Sequence, residues 1–214
     1  MIDSNILKID KILALNVSRE TLRELEDYSK EIINRNSRIN LISKNTEKSI
    51  KSRHIEDSAQ SIEFIDKKGI EICTDLGSGA GLPGIVLAIL MKHKNPLFKV
   101  IFYEKSFHKS NFLKEMSNKF KLNTEIHQKN IFEEKNLNTD VIISRAFKPL
   151  PVVLEIASSK FKNFKYIILF LGKTGKKILK EAMKIWKFDY EEKISLTNKD
   201  SLLVKISNIK KINV

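Results

Sequence analysis

Residues 72–84 read Ile-Cys-Thr-Asp-Leu-Gly-Ser-Gly-Ala-Gly-Leu-Pro-Gly, a short apolar run with an aspartate that passes into a series of glycines. The pattern predicts a strand that ends in a nucleotide-binding loop, because Gly77 and Gly79 let the backbone turn sharply and approach a ligand where a Cβ would clash. The apolar residues 85–91 that follow predict a helix whose first turn faces the ligand and whose body packs on a sheet.

A second apolar run, residues 100–103, ends in Glu104, twenty positions past Gly84. An acidic side chain at this point can accept hydrogen bonds from the two ribose hydroxyls of an adenosine. The order of strand, loop, helix, strand and terminal acid favours an adenosine-containing ligand. The alternative is a glycine-rich turn followed by an ordinary surface glutamate.

The type of adenosine ligand depends on Asp75, two positions before the first glycine. Dinucleotide folds usually carry Gly-x-Gly-x-x-Gly, so that a pyrophosphate can sit on the helix N-terminus. A carboxylate here would repel a pyrophosphate but attract a ligand that carries an ammonium and a sulfonium. The sequence therefore favours S-adenosyl-L-methionine over NAD. The loop resembles the first motif of the Rossmann-like methyltransferases, and Glu104 resembles their second acidic motif.

Length and composition fit one α/β domain with an extension, since the chain has 214 residues of which 42% are hydrophobic. No segment approaches the roughly 18–20 apolar residues that span a bilayer. Residues 1–16 contain Asp3 and Asp10 and lack a basic region before an apolar block, so no signal peptide is expected. Cys73 is the single cysteine, which argues against disulfides and cysteine zinc clusters. A cytoplasmic protein with no metal and no membrane partner is predicted.

The net charge of +13 predicts attraction to nucleic acid, because Lys and Arg neutralise phosphates. Abundant Lys, Ile and Asn also follow from a biased genome composition, so the positions of the arginines are more informative. Five of the six precede residue 54, upstream of the glycine loop: Arg19, Arg23, Arg35, Arg38 and Arg53, with Arg145 the sixth. We therefore expect residues 1–68 to form a helical extension that faces RNA and residues 69–214 to form the cofactor-binding core.

Hydrophobic periodicity predicts the elements. A helix capped by Ser18 is predicted to about residue 36, residues 34–43 are too polar for a core element, and a second helix runs from after Thr46 to about Phe64. Strands are predicted at 72–76, 99–104, 124–127, 140–144, 166–171, 189–193 and 202–206. Helices are predicted at 84–92, 106–120, near 133, 152–160 and 175–186. The last two strands have no helix between them, so we expect a seven-stranded, mostly parallel Rossmann-like sheet that ends in an antiparallel hairpin.

Three further segments are more specific: Asn-Arg-Asn-Ser-Arg-Ile-Asn-Leu-Ile-Ser at 34–43, Arg-His-Ile-Glu-Asp-Ser at 53–58 and Ser-Arg-Ala-Phe at 144–147. With the glycine loop they resemble the bacterial 16S ribosomal RNA guanine-N7 methyltransferase family, formerly called glucose-inhibited division protein B. The family's marks are Asn-Leu-Thr, Arg-His-x-x-Asp-Ser, Gly-x-Gly-x-Gly-Leu-Pro-Gly and Ser-Arg-Ala.

All four motifs are met in order, except that Ile42 stands where threonine is usual. Beyond Phe147 the resemblance is mainly architectural. The family often carries Lys-Gly after the fifth strand, where this chain has Leu-Gly-Lys at 171–173, so the role of Lys173 is open. Asn130 stands where an arginine is usual after the third strand.

The resemblance implies methyl transfer from S-adenosyl-L-methionine, with S-adenosyl-L-homocysteine as product, to N7 of a guanine in 16S rRNA, nucleotide 527 in the standard numbering. The partner is free rRNA, an assembling particle or the 30S subunit, and the protein is expected to act as a monomer. Guanine N7 has an unshared electron pair in the ring plane, so no general base is needed, and positioning and electrostatics carry the rate. Cys73 lies inside the first strand and is interpreted as a small core residue rather than a nucleophile.

The candidate residues fall into three sets. The cofactor set is Asp75, Gly77, Ser78, Gly79, Leu82 and Glu104, to which the resemblance adds Ile131 and Phe132 beside the adenine and Arg145 at the methionine end. The RNA set is Arg35, Arg38, Asn40, Arg53 and Lys173. The positioning set is Asn40, His54 and Arg145.

Several of these residues have an alternative role. Arg145 can instead contact a phosphate or form a salt bridge. His54 can orient RNA or pair with Asp57 along one helix face. Phe147 can stack on the target base or belong to the core.

Two other classes of function remain open at this point. One is an NAD-dependent oxidoreductase, which Asp75 and the lack of a second domain for a hydride acceptor disfavour. The other is a non-catalytic ribosome-assembly or RNA-binding protein that retains a nucleotide-binding fold.

Overall fold

A computed structural model of the chain describes residues 17–65 and 67–212. The expectations for residues 1–16, including the absence of a signal peptide, lie outside the described residues. The α-helices are α1 (Arg19–Ile39), α2 (Asp57–Ala59), α3 (Ile62–Ile65), α4 (Gly84–Met91), α5 (Phe107–Lys119), α6 (Leu150–Lys160) and α7 (Gly175–Ala182). The strands are β1 (Ile72–Leu76), β2 (Lys99–Tyr103), β3 (Thr124–His127), β4 (Leu137–Asn138), β5 (Val141–Arg145), β6 (Phe161–Lys162), β7 (Tyr166–Leu171), β8 (Trp186–Ile194) and β9 (Leu202–Lys211).

Seven strands form one sheet in the order β3-β2-β1-β5-β7-β9-β8. The first five are parallel, and β9 pairs antiparallel with both β7 and β8. Central strands such as β1 and β5 are buried on both faces, which is why apolar residues predominate in them. The structure confirms the predicted sheet and its closing hairpin. A separate two-stranded sheet of β4 and β6 was not predicted.

The helix α1 departs from the prediction at its C-terminal end. Ser18 caps it as expected, since the Ser18 hydroxyl accepts a hydrogen bond from the Thr21 amide at 3.1 Å. The helix continues to Ile39, however, and Asn36 is buried. The Asn36 side chain accepts from the Ile42 amide at 2.8 Å and donates to Glu47 at 2.6 Å. The prediction that residues 34–43 contain no core element is therefore wrong, because the polar side chain of Asn36 is satisfied internally.

The predicted second helix is a series of short helical turns of different types. A 3-10 helix (Lys44–Ser49) and a π-helix (Lys51–Glu56) precede α2 and α3. Further along, α7 ends at Ala182 and β8 begins at Trp186, so the predicted helix to residue 186 is too long and the predicted strand at 189–193 too short. A short 3-10 turn (Ile131–Glu133) confirms the element predicted near residue 133.

The N-terminal helices share a hydrophobic core with the sheet. Leu25, Tyr28 and Ile32 on α1 belong to the same buried cluster as Ile85 on α4 and Phe112 on α5. The Tyr28 hydroxyl donates to the Ala80 carbonyl in the glycine loop at 2.5 Å, so α1 contacts the loop directly. None of the helices in the described ranges is long and apolar enough to cross a lipid bilayer. The domain boundary at residues 68 and 69 stays a prediction.

Candidate functional site

The site lies at the carboxyl ends of β1 and β5, which are neighbours in the sheet. From β1 the chain first adds β2 and β3 on one side of β1 in the sheet, and it later adds β5 and β7 on the other side. The order of the chain therefore reverses here, and in open α/β sheets ligands bind at such a switch point. Gly77 directly follows β1, and Ala146 directly follows β5. Both residues line two adjoining cavities of about 430 Å³ each, which we name cavity A and cavity B.

The glycine loop follows β1 and separates the two cavities. Gly77 has a φ of +67° and Gly79 a φ of +54°, in the left-handed region that favours glycine. A Cβ on Gly77 would lie 2.1 Å from Cδ2 of Phe147, so the Phe147 ring packs directly against this glycine. A Cβ on Gly79 would meet no atom closer than the Gly77 carbonyl at 3.9 Å. Gly77 is thus required by packing, whereas the space beside Gly79 is open towards cavity B.

Glu104 lies where β2 ends, at the wall of cavity A. One oxygen of its carboxylate accepts from the Gly79 amide at 2.9 Å, and the other accepts from the Ser106 amide at 2.8 Å. The side chain therefore fixes the glycine loop relative to the second strand. Its predicted contact with ribose hydroxyls stays a prediction.

Asp75 occupies the position beneath the loop. Its carboxylate is buried and accepts a hydrogen bond from the Gly84 amide, at the start of α4, at 2.9 Å. Burial raises the pKa of Asp75 to about 7, the Gly84 hydrogen bond acts to lower it, and the nearby Glu104 charge acts to raise it. Asp75 is not among the residues that line cavities A and B. Its direct contact with a cofactor ammonium stays a prediction, and the structure gives it a role in holding the start of α4.

The remaining wall of cavity A comes from the segment after β3. Ile131 is buried, while the Phe132 side chain is 42% exposed at the rim. Asn130 caps this turn, because its side-chain oxygen accepts from the Phe132 amide at 3.3 Å. The residue that replaces the usual arginine thus has a structural role. Sequence reasoning missed three exposed lysines that line the cavity: Lys105, Lys129 and Lys148.

Cavity B lies between the glycine loop and the N-terminal helical segment. Of the predicted residues it is lined by Gly77, Ser78, Gly79, Leu82, Arg53, His54 and Arg145. Ile42, which stands in place of the usual threonine, also lines it. Lys109 was not predicted, because nothing in its local sequence distinguishes it from other surface lysines of a helix. None of the described residues that line cavity B is acidic, so the cavity favours anionic groups.

Three partners hold the Arg145 side chain at the wall of cavity B. Its guanidinium lies 3.2 Å from the Asp57 carboxylate, donates to the Arg53 carbonyl at 2.6 Å and donates to the Ser58 hydroxyl at 3.3 Å. The Arg145 and Asp57 side chains are both largely buried. The structure therefore contains the salt bridge that the sequence offered as an alternative role for Arg145, and the Arg145 side chain still lines cavity B.

His54 does not form the pair with Asp57 that the sequence suggested. The ring Nε2 of His54 lies 2.8 Å from the Thr46 hydroxyl, and Arg145 takes the Asp57 carboxylate instead. The pKa of His54 is lowered to about 4, chiefly because burial disfavours the charged ring; the charge of Arg145 also lowers it, Asp57 raises it and Arg53 lowers it. The imidazole is therefore neutral at neutral pH.

The predicted RNA residues lie on three separate segments of the chain, namely α1 with its C-terminal cap, the π-helix and the loop after β7. Arg53 lines cavity B, whereas Arg35, Arg38, Asn40 and Lys173 line neither cavity A nor cavity B. Arg35 forms an ion pair with Glu115 at 2.8 Å. Asn40 is exposed and, with a φ of +52°, ends α1. Their contacts with RNA stay predictions.

The fold is that of the S-adenosyl-L-methionine-dependent methyltransferases. A crystal structure of such an enzyme from Aquifex aeolicus matches with a TM-score of 0.53 and 17% identity, covering 74% of this chain and 92% of that one. The sequence matches the family described as rRNA small subunit methyltransferase G over residues 21–205, and the chain belongs to this family.

Relatives that carry the name ribosomal RNA small subunit methyltransferase G support the assignment. The protein of Pelagibacter ubique is 48% identical over 200 residues, covering 92% of this chain and 93% of the relative. The protein of Ruegeria pomeroyi is 32% identical over 198 residues, covering 92% and 96%. This confirms the family resemblance and the methyltransferase interpretation, and it disfavours the oxidoreductase and the non-catalytic alternatives.

Proposed function

We propose that the protein transfers a methyl group from S-adenosyl-L-methionine to N7 of a guanine in 16S rRNA, at nucleotide 527 in the standard numbering. It acts as a monomer in the cytoplasm, on rRNA within the 30S subunit or a precursor of it. The observation that carries the proposal is the pair of cavities at the carboxyl ends of β1 and β5, in a chain that belongs to this rRNA methyltransferase family.

The residues around cavities A and B fit this cofactor. Glu104 and Phe132 in cavity A suit the ribose hydroxyls and the adenine ring of the adenosine part. Ser78, Gly79 and Arg145 in cavity B suit the amino-acid part, since a guanidinium can bind its carboxylate. The open space beside Gly79 is the part of the loop that a Cβ would fill. Asp75 then acts on the cofactor through the loop that it stabilises.

The reaction requires positioning rather than proton transfer. The unshared pair of N7 forms the new N–C bond as the bond from methyl to sulfur breaks, the bonding electrons stay on sulfur, and the positive charge passes to the purine. The side chains have to hold nucleophile, methyl and sulfur in line. Because its pKa is about 4, the His54 imidazole is a weak proton acceptor, and its Nε2 lies 2.8 Å from the Thr46 hydroxyl, so His54 suits orientation rather than base catalysis.

The basic groups near the cavities suit the phosphates that flank a target nucleotide. Arg53 and Lys109 line cavity B, and Lys105, Lys129 and Lys148 line cavity A. Phosphate contacts position RNA without reading its sequence, so these groups supply affinity and the cavities supply selectivity.

The proposal is tested with 30S subunits from a bacterial strain that lacks its own guanine-N7 methyltransferase. The protein and radiolabelled S-adenosyl-L-methionine are added, and the rRNA is cleaved at N7-methylguanine by borohydride and aniline. We expect one methyl group per subunit and a single cleavage site. Label on a different base atom, or an unlabelled rRNA, would contradict the proposal, and parallel reactions with protein-free 16S rRNA would identify the preferred form of the substrate.

A further inference from the structure

The segment that follows β7 carries a large excess of positive charge. Residues 173–185 contain five lysines, all of them exposed, and a single acidic residue, Glu181. The helix α1, which holds two of the predicted RNA residues, has instead five basic and five acidic residues, so its net charge is zero. Net charge sets the long-range attraction of a polyanion, so this segment attracts one more strongly than α1 does. We name its five lysines the lysine stripe: Lys173, Lys176, Lys177, Lys180 and Lys184.

The lysine stripe lies on one side of α7. Side chains three and four positions apart share one side of a helix, and the five lysines follow this spacing. On the opposite side, Leu179 and Ala182 of α7 are buried and pack in the same cluster as Leu150 and Ile156 of α6. The stripe is therefore a row of like charges that faces solvent.

Most of the charge of the stripe is not neutralised within the described part of the protein. Two of its members form ion pairs, Lys176 with Glu192 at 3.1 Å and Lys184 with Glu181 at 2.7 Å. The other three pair with no acidic side chain in the described ranges: Lys173, Lys177 and Lys180. These three ammonium groups are available to an anionic partner.

The arrangement of the lysines does not serve the stability of α7. Lys177 and Lys180 are three positions apart, and like charges at this spacing destabilise a helix. Lys176 and Lys177 also lie in the first turn of α7, which has no acidic residue, and the helix dipole disfavours cations there. Anions bound along the stripe would remove both costs, so the pattern favours a partner rather than the fold alone.

The stripe begins at the carboxyl edge of the sheet, close to cavities A and B. Phe170 on β7 is the register partner of Arg145 on β5, and Lys173 follows three residues later. The strand β9 is antiparallel to both β7 and β8, so β7 and β8 run in the same direction. The helix α7, which connects them, therefore leads from the carboxyl edge to the opposite edge. The stripe thus extends from the site along one face of the sheet.

The helices α7 and α1 cover opposite faces of the sheet. Leu179 of α7 belongs to the same buried cluster as Ile142 of β5, whereas Tyr28 of α1 belongs to the cluster that contains Ile143. Neighbouring residues of a strand point to opposite faces of the sheet, so the two helices lie on different sides. The C-terminal end of α1 also reaches the carboxyl edge, since Leu41 lines cavity B.

We propose that the lysine stripe binds the phosphate backbone of the rRNA substrate, so that the RNA straddles the carboxyl edge of the sheet. One part of the RNA then lies along α7 and another beside the C-terminal end of α1, with the target nucleotide between them. The inference rests on the proposed function, because it takes the molecule that reaches cavities A and B to be RNA. Phosphates are themselves a row of like charges, so the stripe complements them. Lysines that contact phosphates fix the position of the RNA and do not read its bases.

The first test is a double substitution, Lys177→Gln with Lys180→Gln, in the full chain. Both side chains are exposed, and glutamine keeps the helix propensity of lysine without its charge. Affinity for 30S subunits is measured over a range of salt concentrations. The dependence of log affinity on log salt should flatten by about 1.4–1.8 units, and the affinity at about 0.1 M salt should fall at least about tenfold. The Tm should not fall, because a contact between like charges is removed.

The matched control is Lys67→Gln with Lys68→Gln. These two lysines are exposed and precede β1, at the edge of the sheet opposite to cavities A and B. This variant loses the same charge but no contact with RNA, so its affinity and salt dependence should stay close to those of the wild type. Both double variants should bind S-adenosyl-L-methionine as the wild type does.

The second test locates the RNA by directed hydroxyl-radical cleavage. Cys73 is the single cysteine and is buried, so an iron chelate attached to a thiol reports on an introduced cysteine. Lys177→Cys, Arg38→Cys and Lys68→Cys are labelled and bound to 30S subunits in separate reactions. We expect Lys177→Cys and Arg38→Cys to cut 16S rRNA near the target guanine at different nucleotides, and Lys68→Cys to cut at neither set.

Three results would overturn the inference. One is wild-type affinity and salt dependence in the variant of Lys177 and Lys180. Another is an equal loss in the variant of Lys67 and Lys68, which would mean that only total charge matters. The third is rRNA cleavage from Arg38→Cys with none from Lys177→Cys, which would place a protein rather than RNA on the stripe.

These measurements concern binding and not methyl transfer, so the two levels of the argument fail separately. A wild-type protein that leaves N7 of the rRNA unmethylated contradicts the proposed function. A protein that methylates N7 but whose variant of Lys177 and Lys180 binds as the wild type contradicts the inference alone.

Discussion

The glycine loop makes a quantitative prediction for Gly79→Ala. The new methyl group would point into the open side of cavity B, with its nearest protein atom 3.9 Å away. We therefore expect the loop to keep its shape and the substitution to act on the cofactor. In this respect Gly79 differs from Gly77, where a Cβ would collide with Phe147.

The expected losses of folding stability and of cofactor affinity in Gly79→Ala follow from two separate terms. The left-handed backbone at φ +54° costs an alanine roughly 1–2 kcal/mol of folding stability. For a chain of this size each kcal/mol lowers the Tm by about 2–4 °C, so the Tm should fall by roughly 2–8 °C. Forcing an extra methyl into an occupied site costs about 1–3 kcal/mol. The cofactor Kd should accordingly rise by roughly 5- to 150-fold.

Gly69→Ala is the matched control. Gly69 has a φ of +79°, and a Cβ there would lie 3.5 Å from Nζ of Lys165, which is an ordinary van der Waals distance, so the backbone strain is similar and the steric term is small. Gly69 precedes β1 and lines neither cavity A nor cavity B. We expect a comparable loss of Tm by calorimetry and an unchanged cofactor Kd.

Two results would refute this reasoning. If Gly79→Ala binds S-adenosyl-L-methionine with wild-type affinity, the space beside Gly79 is not the cofactor site. If Gly69→Ala loses as much affinity as Gly79→Ala, the loss comes from general destabilisation of the fold.

Replacing Arg35 and Arg38 together by Ala should weaken binding to 30S subunits and flatten the dependence of log affinity on log salt by up to about two units, with cofactor affinity unchanged. The single-turnover rate should show no ionisation of His54 between about pH 6 and 9, so the pH profiles of the wild type and of His54→Ala should have the same shape, because the pKa of His54, about 4, lies below this window. Asp57→Asn should lower stability by roughly 3 kcal/mol in denaturant unfolding and also lower the single-turnover rate, since it leaves Arg145 without its charge partner.

Each of these three predictions has its own control. Arg19→Ala with Arg23→Ala removes the same charge from the other end of α1, and an equal loss of salt dependence would mean that only total charge matters. An ionisation in the wild-type rate that disappears in His54→Ala would make this histidine catalytic. Asp140→Asn removes a carboxylate that accepts from backbone amides at the opposite end of β1, so it should lower stability but not the rate. A rate that falls equally in Asp140→Asn and Asp57→Asn would count against a special role for Asp57.

His54 also contributes to the dependence of folding stability on pH in the acid range. The pKa of His54 falls from 6.5 in the unfolded chain to about 4 in the fold, because burial disfavours the charged ring. The unfolded state therefore binds more protons between these values, and stability is lost as the pH falls from about 6.5 to 4. His54→Ala should remove this part of the pH dependence.

The fold could be predicted from sequence because its central elements are locally distinctive. The residues of β1, β5 and α4 are buried almost throughout, and short segments rich in apolar residues identify buried parallel strands and the helices that cover them. The segment 44–65 could not be predicted in the same way. Its succession of 3-10, π and α turns depends on how it docks against the sheet, and hydrophobic periodicity does not distinguish between helix types.

The site was predictable only where one short segment defines it. The glycines and Glu104 were found because their chemistry is local to the strand ends. The pairing of Asp57 with Arg145, and the packing of Phe147 on Gly77, join residues distant in sequence that no local pattern links. For the same reason the sequence offered Asp57, the nearest candidate along the helix, as one of two alternative partners of His54, whereas the fold pairs Asp57 with Arg145.

The N-terminal segment contacts the site on both sides of the switch point. On one side Tyr28 on α1 donates to the Ala80 carbonyl in the glycine loop. On the other side Asp57 accepts from the hydroxyls of Ser195, at 2.7 Å, and Thr197, at 2.9 Å, in the hairpin loop between β8 and β9. The same carboxylate holds Arg145, so the guanidinium and the hairpin loop are fixed by one buried anion.

This arrangement has a consequence for how the two substrates are positioned. The loops that surround cavities A and B leave different strands of one sheet, and these strands cannot shift independently without breaking their hydrogen-bond ladders. The loops beyond the strand ends have no such ladder and are held by individual contacts, among them that of Glu104 with the Gly79 amide. Tyr28 and Asp57 add further contacts of this kind from the N-terminal segment. Under the proposed function, the N-terminal segment therefore helps to position the cofactor, in addition to any contact that it makes with RNA.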